Sequence, residues 1–252
     1  MCIIAICEDR KLTKTEAENC FKNNNDGAGI GWAEKGFSRY SKGLMSFDEF
    51  WYVYEPINVL PHVVHFRNET SGGVCPQLTH PFNISEESKI YLDYEGKDPL
   101  LFHNGVLTGW DSALLDFYIK NGAKIPDGEW SDSRFVAVLV HHLGKMVLKF
   151  KRGGKYVLVS PDGNITIFGD FETVKGVRFS NNSYEKYSYR RGFVGYGGSY
   201  DGLEWIYGED AGYAGKWGGG LKSNDKVVTT TKNSTKDNRQ KSKSALLNKP
   251  SK

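Results

Sequence analysis

The composition of the chain changes sharply near residue 185, and this change limits where a folded domain can lie. Before it, short runs rich in Val, Ile, Leu and Phe alternate with helix-capping signals. Residues 191–220 contain 11 glycines interleaved with aromatic residues, and residues 221–252 hold nine lysines and arginines against two aspartates. A basic segment with so few apolar residues cannot bury enough surface to fold alone. We therefore expect one domain over residues 2–190, a Gly/aromatic-rich linker or lid over 191–220, and a disordered basic tail over 221–252.

The basic tail also accounts for the charge of the whole chain. The 252 residues have a formal net charge of +3, so the part before the tail is mildly acidic. No run approaches the roughly 20 apolar residues that cross a membrane, and no signal-peptide pattern precedes Cys2. The four cysteines form neither a zinc-binding pattern nor a disulfide framework. These features predict a cytoplasmic protein with reduced thiols and no membrane partner.

Before residue 185, the hydrophobic pattern predicts strands and helices in alternation. Four helices are expected, the first two opened by capping boxes, and they begin near Thr13, Ser46, Gly109 and Ser131. A Pro-Asp-Gly-Asn turn at 161–164 predicts a hairpin. The predicted strands lie at 2–7, 27–33, 63–67, 99–103, 145–151, 155–160, 164–169 and 176–180. Periodicity alone therefore indicates an α/β or an α+β fold.

Cys2 is the first candidate for chemistry, because removal of Met1 would make it the first residue of the chain. The thiol would then lie beside a free α-amino group, whose reference pKa of about 7.7–8.0 leaves a fraction unprotonated at neutral pH. Such an amine accepts the proton of the nucleophile in a known catalytic arrangement. The alternative is a buried cysteine that opens the apolar strand Cys2 to Cys7.

Five motifs follow Cys2 in a characteristic order. They are Asp-Gly-Ala-Gly at 26–29, His-Phe-Arg-Asn-Glu-Thr at 65–70, His-Pro-Phe at 80–82, Phe-His-Asn-Gly at 102–105 and Ser-Asp-Ser at 131–133. Over roughly residues 2 to 184 the chain resembles the glutaminase domain of class II glutamine amidotransferases, a branch of the N-terminal-nucleophile hydrolases. The resemblance implies a fold of the α+β class, a four-layer αββα sandwich with two antiparallel sheets between helical layers.

The resemblance implies the catalytic roles of three residues. Cys2 would attack the side-chain amide of glutamine to form a thioester, while the Asn104 side chain and the Gly105 N–H would bind the oxyanion. Hydrogen-bond donors already in place at such an oxygen accelerate acyl transfer strongly. The alternative for the Asn104-Gly105 pair is a type I′ hairpin turn.

The resemblance also implies how the substrate is bound. Arg67 would hold the α-carboxylate, because a guanidinium pairs with a carboxylate through two parallel hydrogen bonds. Asp132 would hold the α-ammonium group, and Thr70 and His80 complete the substrate-binding set. The alternatives are a surface ion pair for Arg67 and a helix N-cap for Asp132.

Neither a cofactor nor a metal is expected. His65, His80 and His103 could be interpreted as metal ligands, but in the resembled motifs each serves packing or orientation.

Three positions depart from the family pattern. Ile3 stands where most members have a glycine beside the nucleophile, and Arg134 stands where they often have an acid. Glu69 replaces a small or apolar residue and adds a carboxylate near Arg67. This carboxylate would weaken glutamine binding unless Glu69 points outward or contacts a different substrate.

After residue 184 the sequence has no room for a synthase domain and no phosphate-binding loop. We therefore expect a stand-alone glutaminase-like amidohydrolase that converts glutamine to glutamate and ammonia, with a separate ammonia-accepting synthase as a candidate partner. The alternative is a catalytically idle or altered-substrate interaction module. Its basic tail would bind nucleic acid or an acidic partner through salt-dependent phosphate contacts and aromatic stacking. A solubilising linker is the plainer interpretation of this tail.

Overall fold

The computed structural model describes residues 2–150 and 153–186. Its helices are α1 (Lys14–Asn23), α2 (Phe47–Tyr54), α3 (Trp110–Lys120) and α4 (Asp132–Leu143). Its strands are β1 (Ile3–Cys7), β2 (Ala28–Glu34), β3 (Phe37–Leu44), β4 (His62–Phe66), β5 (Phe82–Asn83), β6 (Asp93–Gly96), β7 (Leu100–Asn104), β8 (Lys155–Val159), β9 (Ile165–Phe168), β10 (Glu172–Val174) and β11 (Val177–Phe179). Short 3-10 helices cover Pro76–Leu78 and Lys145–Phe150.

The strands form two antiparallel sheets. One sheet has seven strands in the order β10-β11-β1-β4-β2-β3-β6, and the other has four in the order β5-β7-β8-β9. Helices and antiparallel sheets together make this an α+β fold, which confirms the coarse class that was expected.

β1 lies inside the larger sheet and is buried on both faces, because every one of its residues is apolar. Ile3, Ala5 and Cys7 pack into one hydrophobic cluster with residues of α1 and α2. Ile4 and Ile6 point to the other face and pack with residues of β7 and β8. The opposite faces of β7 and β8 join a third cluster with α3 and α4. Cys2 is therefore attached to one of the most buried strands of the domain.

All four helix starts are confirmed, and the first two open with the predicted capping boxes. Thr13 and Ser46 each accept a hydrogen bond from the backbone of the glutamate three residues later. The hairpin at 161–164 is confirmed by the pairing of β8 with β9. None of the helices in the described ranges is long and apolar enough to cross a bilayer. The expectations for 191–220 and 221–252 fall outside the described residues.

The strand predicted over 145–151 is wrong, because Lys145–Phe150 is a 3-10 helix. Val147 and Leu148 are neighbours and both are buried in one cluster. A strand sends successive side chains to opposite faces, so a helical turn suits two adjacent core residues better. Gly144, with φ of 78°, ends α4 directly before this turn.

Candidate active site

Cys2 lies in a small cleft beside the start of β1. The space between atoms at this cleft is about 280 Å³ when the open solvent at its mouth is included, and room for the centres of water-sized molecules amounts to about 20 Å³. Six of the seven predicted site residues line it, and the seventh, Asn104, is the neighbour of Gly105. The complete lining is Cys2, Arg67, Asn68, Thr70, Ser71, Leu78, His80, His103, Gly105, Ser131, Asp132 and Ser133. Residues from distant parts of the sequence thus meet at one point.

The thiol of Cys2 is held by the backbone of Asn68. Its Sγ accepts a hydrogen bond from the Asn68 N–H and donates one to the Asn68 carbonyl, both at 3.3 Å. Burial raises the pKa of this thiol, whereas the Asn68 N–H and the charge of Arg67 act in the opposite direction. The thiol is therefore protonated at neutral pH, and a nucleophilic role requires a base close to Sγ.

The two residues after β11 hold the chain beside Cys2. The Asn181 side chain donates to the Cys2 carbonyl at 2.7 Å. The Ser180 hydroxyl accepts from the Ile4 N–H at 2.9 Å, and the Ser180 N–H donates to the Ile4 carbonyl. Sequence reasoning assigned no role to Ser180 or Asn181. The available signal was two polar residues directly after an apolar strand.

Asn104 is the last residue of β7, where it pairs with Lys155, and Gly105 follows the strand. Asn104 Nδ2 donates to the Ser180 hydroxyl at 2.9 Å, which uses one of its two N–H groups and leaves the other for a ligand. A Cβ at Gly105 would lie only 2.8 Å from Nε2 of His103, so this position requires glycine. The hairpin-turn alternative is wrong, since β7 pairs with the distant β8.

Arg67 extends from the end of β4 into the cleft and is 4 % exposed. Its Nη2 donates to the Ser71 carbonyl at 2.9 Å. Its Nη1 is buried and has no hydrogen-bond partner among the described residues. The surface ion pair considered for Arg67 does not fit this position. A buried guanidinium with a free donor suits an anionic group of a ligand.

Asp132 is the first residue of α4, and its carboxylate is almost fully buried. Oδ2 accepts from the Leu107 N–H at 2.9 Å, and Oδ1 accepts from the Ser133 N–H at 2.8 Å. The N-cap is Ser131, whose side chain accepts from the Arg134 N–H, so the N-cap alternative for Asp132 is wrong. Oδ1 also accepts from the Ser133 hydroxyl at 3.3 Å, whereas Oδ2 keeps acceptor capacity that a cation could use.

Three imidazole rings lie at the cleft, and two of them, those of His80 and His103, belong to lining residues. The ring centroids of His65 and His80 are 3.9 Å apart, and Nε2 of His65 lies 3.1 Å from the His103 carbonyl oxygen. Nδ1 of His103 is 2.9 Å from the Ser133 hydroxyl. Burial lowers the pKa of His65 to about 3 and that of His80 well below its usual value. His65 and His80 are therefore neutral at physiological pH. No group of three or more metal-ligating side chains occurs within the described ranges.

Glu69 and Thr70 lie in the loop after Arg67. The Glu69 N–H donates to the Asp26 carboxylate at 2.7 Å, and the Glu69 carboxylate accepts from the Gly73 N–H at 3.2 Å. Glu69 is absent from the cleft lining, so its carboxylate serves its own loop. Thr70 is exposed and contributes to the cleft wall.

Arg134 has a structural role that explains its presence on α4. The side chain is 1 % exposed and lies 4.0 Å from the Trp130 ring, measured from Cζ to the ring centroid. It donates to the backbone carbonyls of Ser88, Glu129, Glu87 and Asp127. Arg134 thus joins two loops to the helix that carries Asp132.

No family model matches the chain, and no curated protein matches it. A function must therefore be argued from the geometry of the cleft.

Proposed function

We propose that the chain is an N-terminal-nucleophile amidohydrolase of the class II glutamine amidotransferase type, which hydrolyses glutamine to glutamate and ammonia. The observation that carries this proposal is the meeting of the Cys2 thiol, the Arg67 guanidinium, the Asp132 carboxylate and Gly105 in one cleft. These groups supply a nucleophile, two opposite charges and a backbone donor, which together match a free amino acid with a side-chain amide.

The packing supports the four-layer αββα sandwich that belongs to this proposal. The three hydrophobic clusters join, in turn, α1 and α2 to the larger sheet, the larger sheet to the smaller, and the smaller sheet to α3 and α4. In this arrangement Cys2 enters the cleft from a strand buried between layers.

The proposed reaction begins with removal of Met1, which frees the α-amino group of Cys2. Because burial keeps the thiol protonated, this amine would take its proton as Sγ attacks the amide carbon. The Gly105 N–H and the remaining Asn104 N–H would stabilise the oxyanion. The proton then passes to the leaving nitrogen, ammonia departs, and water hydrolyses the thioester.

Substrate recognition would use the two buried charges. The free Nη1 of Arg67 would bind the α-carboxylate, and Asp132 would accept from the α-ammonium group. Burial strengthens both interactions because the local dielectric constant is low. The outward use of the Glu69 carboxylate removes the expected conflict with the substrate carboxylate.

The cellular setting is proposed from the same features. All four cysteines are free, which fits a reducing compartment such as the cytoplasm. A separate synthase that consumes the released ammonia is the proposed partner.

Replacement of the nucleophile tests the proposal. We expect Cys2→Ala to reduce glutamine hydrolysis to background, and Cys2→Ser to retain little activity because a hydroxyl is a poorer nucleophile near pH 7. The measurement is ammonia release from glutamine, with Cys75→Ala as the matched control at a second partly exposed thiol. Full activity of folded Cys2→Ala would contradict the proposal.

A further inference from the structure

His80 is a polar residue of the cleft to which the proposed mechanism assigns no role, and both of its ring nitrogens lack a partner in the part of the chain that the structure describes. Its side chain is 3 % exposed, and neither Nδ1 nor Nε2 has a hydrogen-bond partner among the described residues. Leaving a buried polar atom without a partner costs about 1–3 kcal/mol. A ring that lines the cleft at this cost is suited to a ligand that enters the cleft.

The surroundings fix the His80 ring in place. It packs against the His65 ring and meets the Phe82 ring edge-to-face, with centroids 5.0 Å apart. A Cβ at Gly29 would overlap the His80 carbonyl oxygen, so the glycine lets β2 hold the backbone closely. His80 therefore offers one donor and one acceptor at a defined position.

Arg67 and Asp132 are suited to the charged groups of an amino acid, whereas a neutral imidazole is suited to a small neutral molecule. Ammonia and water each have a lone pair and at least one hydrogen to donate. During amide hydrolysis the departing ammonia and the incoming water use the same side of the carbonyl carbon. One binding position therefore serves both halves of the reaction.

We infer that the His80 imidazole binds the ammonia that leaves the substrate and then the water that replaces it. This inference rests on the proposed function. In the second step the water oxygen bonds to the thioester carbon and the carbon–sulfur bond breaks. The water proton passes to the α-amine of Cys2, and that amine then gives the proton to the thiolate. The products are glutamate and the free thiol.

The test uses a γ-glutamyl ester with a p-nitrophenolate leaving group, which acylates Cys2 without protonation of an amine. We expect His80→Leu to release p-nitrophenolate in a burst that the wild type lacks. The variant should then turn over at least about tenfold more slowly than the wild type, since one hydrogen bond to the attacking water is lost. Intact mass spectrometry should show the glutamyl thioester accumulating in this variant but not in the wild type. Hydroxylamine, a stronger nucleophile than water, should restore turnover. His80→Gln, which keeps a donor and an acceptor, should lie closer to the wild type.

The matched control is His62→Leu. His62 is a buried imidazole outside the cleft, with partners in the Val59 carbonyl and the Tyr54 hydroxyl. The His62→Leu variant should lose stability without accumulating the thioester. Should His80→Leu fail to fold, His80→Met gives the same comparison with a more flexible side chain.

Two results would overturn the inference: unchanged turnover in folded His80→Leu, or slower p-nitrophenolate release from that variant with neither a burst nor a thioester. A wild type that hydrolyses the ester but not glutamine would contradict the proposed substrate alone. A wild type that hydrolyses neither compound would overturn the proposed function and this inference with it.

Discussion

Arg67 is the residue whose surroundings bear most directly on the proposed substrate, because Nη2 is hydrogen-bonded and Nη1 has no partner among the described residues. Lysine would keep the positive charge but lose the fork of donors. One charge-assisted hydrogen bond is worth about 1.5–3 kcal/mol, so we expect Arg67→Lys to raise KM for glutamine about tenfold or more. The measurement is steady-state kinetics of ammonia release.

The matched control for this change is Arg39→Lys. Arg39 lies on β3 and pairs at the surface with Glu34 and Glu95, and surface pairs contribute little. The Arg39→Lys variant should therefore leave KM for glutamine unchanged. Reactivity of Cys2 toward a small neutral alkylating reagent should also persist in Arg67→Lys. An unchanged KM in that variant would assign Arg67 a structural role and remove the basis for a free amino acid as substrate.

The sequence predicted the candidate residues of the cleft and missed residues that hold the chain beside Cys2. Cys2, Arg67 and Asp132 were predictable from the sequence because their motifs occur in order. The role of Ser180 was not, since it depends on β11 pairing with β1 across most of the chain. Pairing of such distant segments cannot be read from local periodicity.

Among the elements, β3 is a strand that the sequence did not predict. Its buried positions alternate regularly, but two of them are Ser38 and Lys42. A buried serine and lysine hide the alternation that marks a half-buried strand. Lys42 is 2 % exposed, donates to the Pro81 carbonyl at 3.1 Å and lies over the Phe82 ring. This contact fastens β3 to the segment that carries His80.

The burial of Lys42 on this strand predicts how the free energy of unfolding depends on pH. Burial, with the nearby charges of Arg134 and Arg67, lowers the pKa of Lys42 to about 7. Above that pH the unfolded state binds more protons than the folded state, so this group makes stability rise with pH up to its ordinary pKa near 10.4. Lys42→Met should remove this rise, which is at most about 1.4 kcal/mol per pH unit.

The measurement is urea unfolding of the wild type and Lys42→Met at pH 6, 7, 8 and 9. The difference between them isolates Lys42, because all other titrating groups are shared. We expect the stability of the variant relative to the wild type to be highest at pH 6, where the wild type carries a buried cation with no anionic partner among the described residues. A difference that stays constant from pH 6 to 9 would show that Lys42 titrates normally.

At the level of the whole molecule, the described domain extends to residue 186. Near that end Tyr184 stacks on Phe179, with centroids 4.2 Å apart, and the Asn23 side chain donates to the Ser183 carbonyl at 2.8 Å. We expect a chain truncated after Lys186 to melt within about 4 °C of the full chain, a change of at most roughly 1–2 kcal/mol. Calorimetry of both chains measures this shift.

A shorter chain that ends at Phe179 is the control, because it loses Ser180, Asn181 and Tyr184 together. It should unfold at a lower temperature than the longer truncation. Aggregation of the chain that ends at Lys186 would mean that the aromatic residues of 191–220 contribute to the core. If the basic tail is an electrostatic arm, the full chain alone should bind nucleic acid, with an affinity that falls steeply with added salt.

Within the described residues the sequence predicted the α+β class, the helix starts and several strands, and its errors have local causes. Helix starts and the buried strands β1, β7 and β8 were predicted because their apolar residues and caps are explicit. The segment at 145–151 was wrong because a short apolar run does not distinguish a strand from a helical turn. Sheet order was not predictable from local pattern, since β1 pairs with segments from both the middle and the end of the described chain.

The central claim is that Cys2 is the nucleophile at a processed N-terminus. Cys7 and Cys20 are fully buried, and burial raises the pKa of Cys7 to about 12, so neither should react. The most direct test is intact and peptide mass spectrometry after treatment with the glutamine analogue diazo-oxo-norleucine. The account predicts protein that lacks Met1 and carries one adduct, located on Cys2. Labelling at Cys7, Cys20 or Cys75 instead, or full retention of Met1 in active protein, would contradict it.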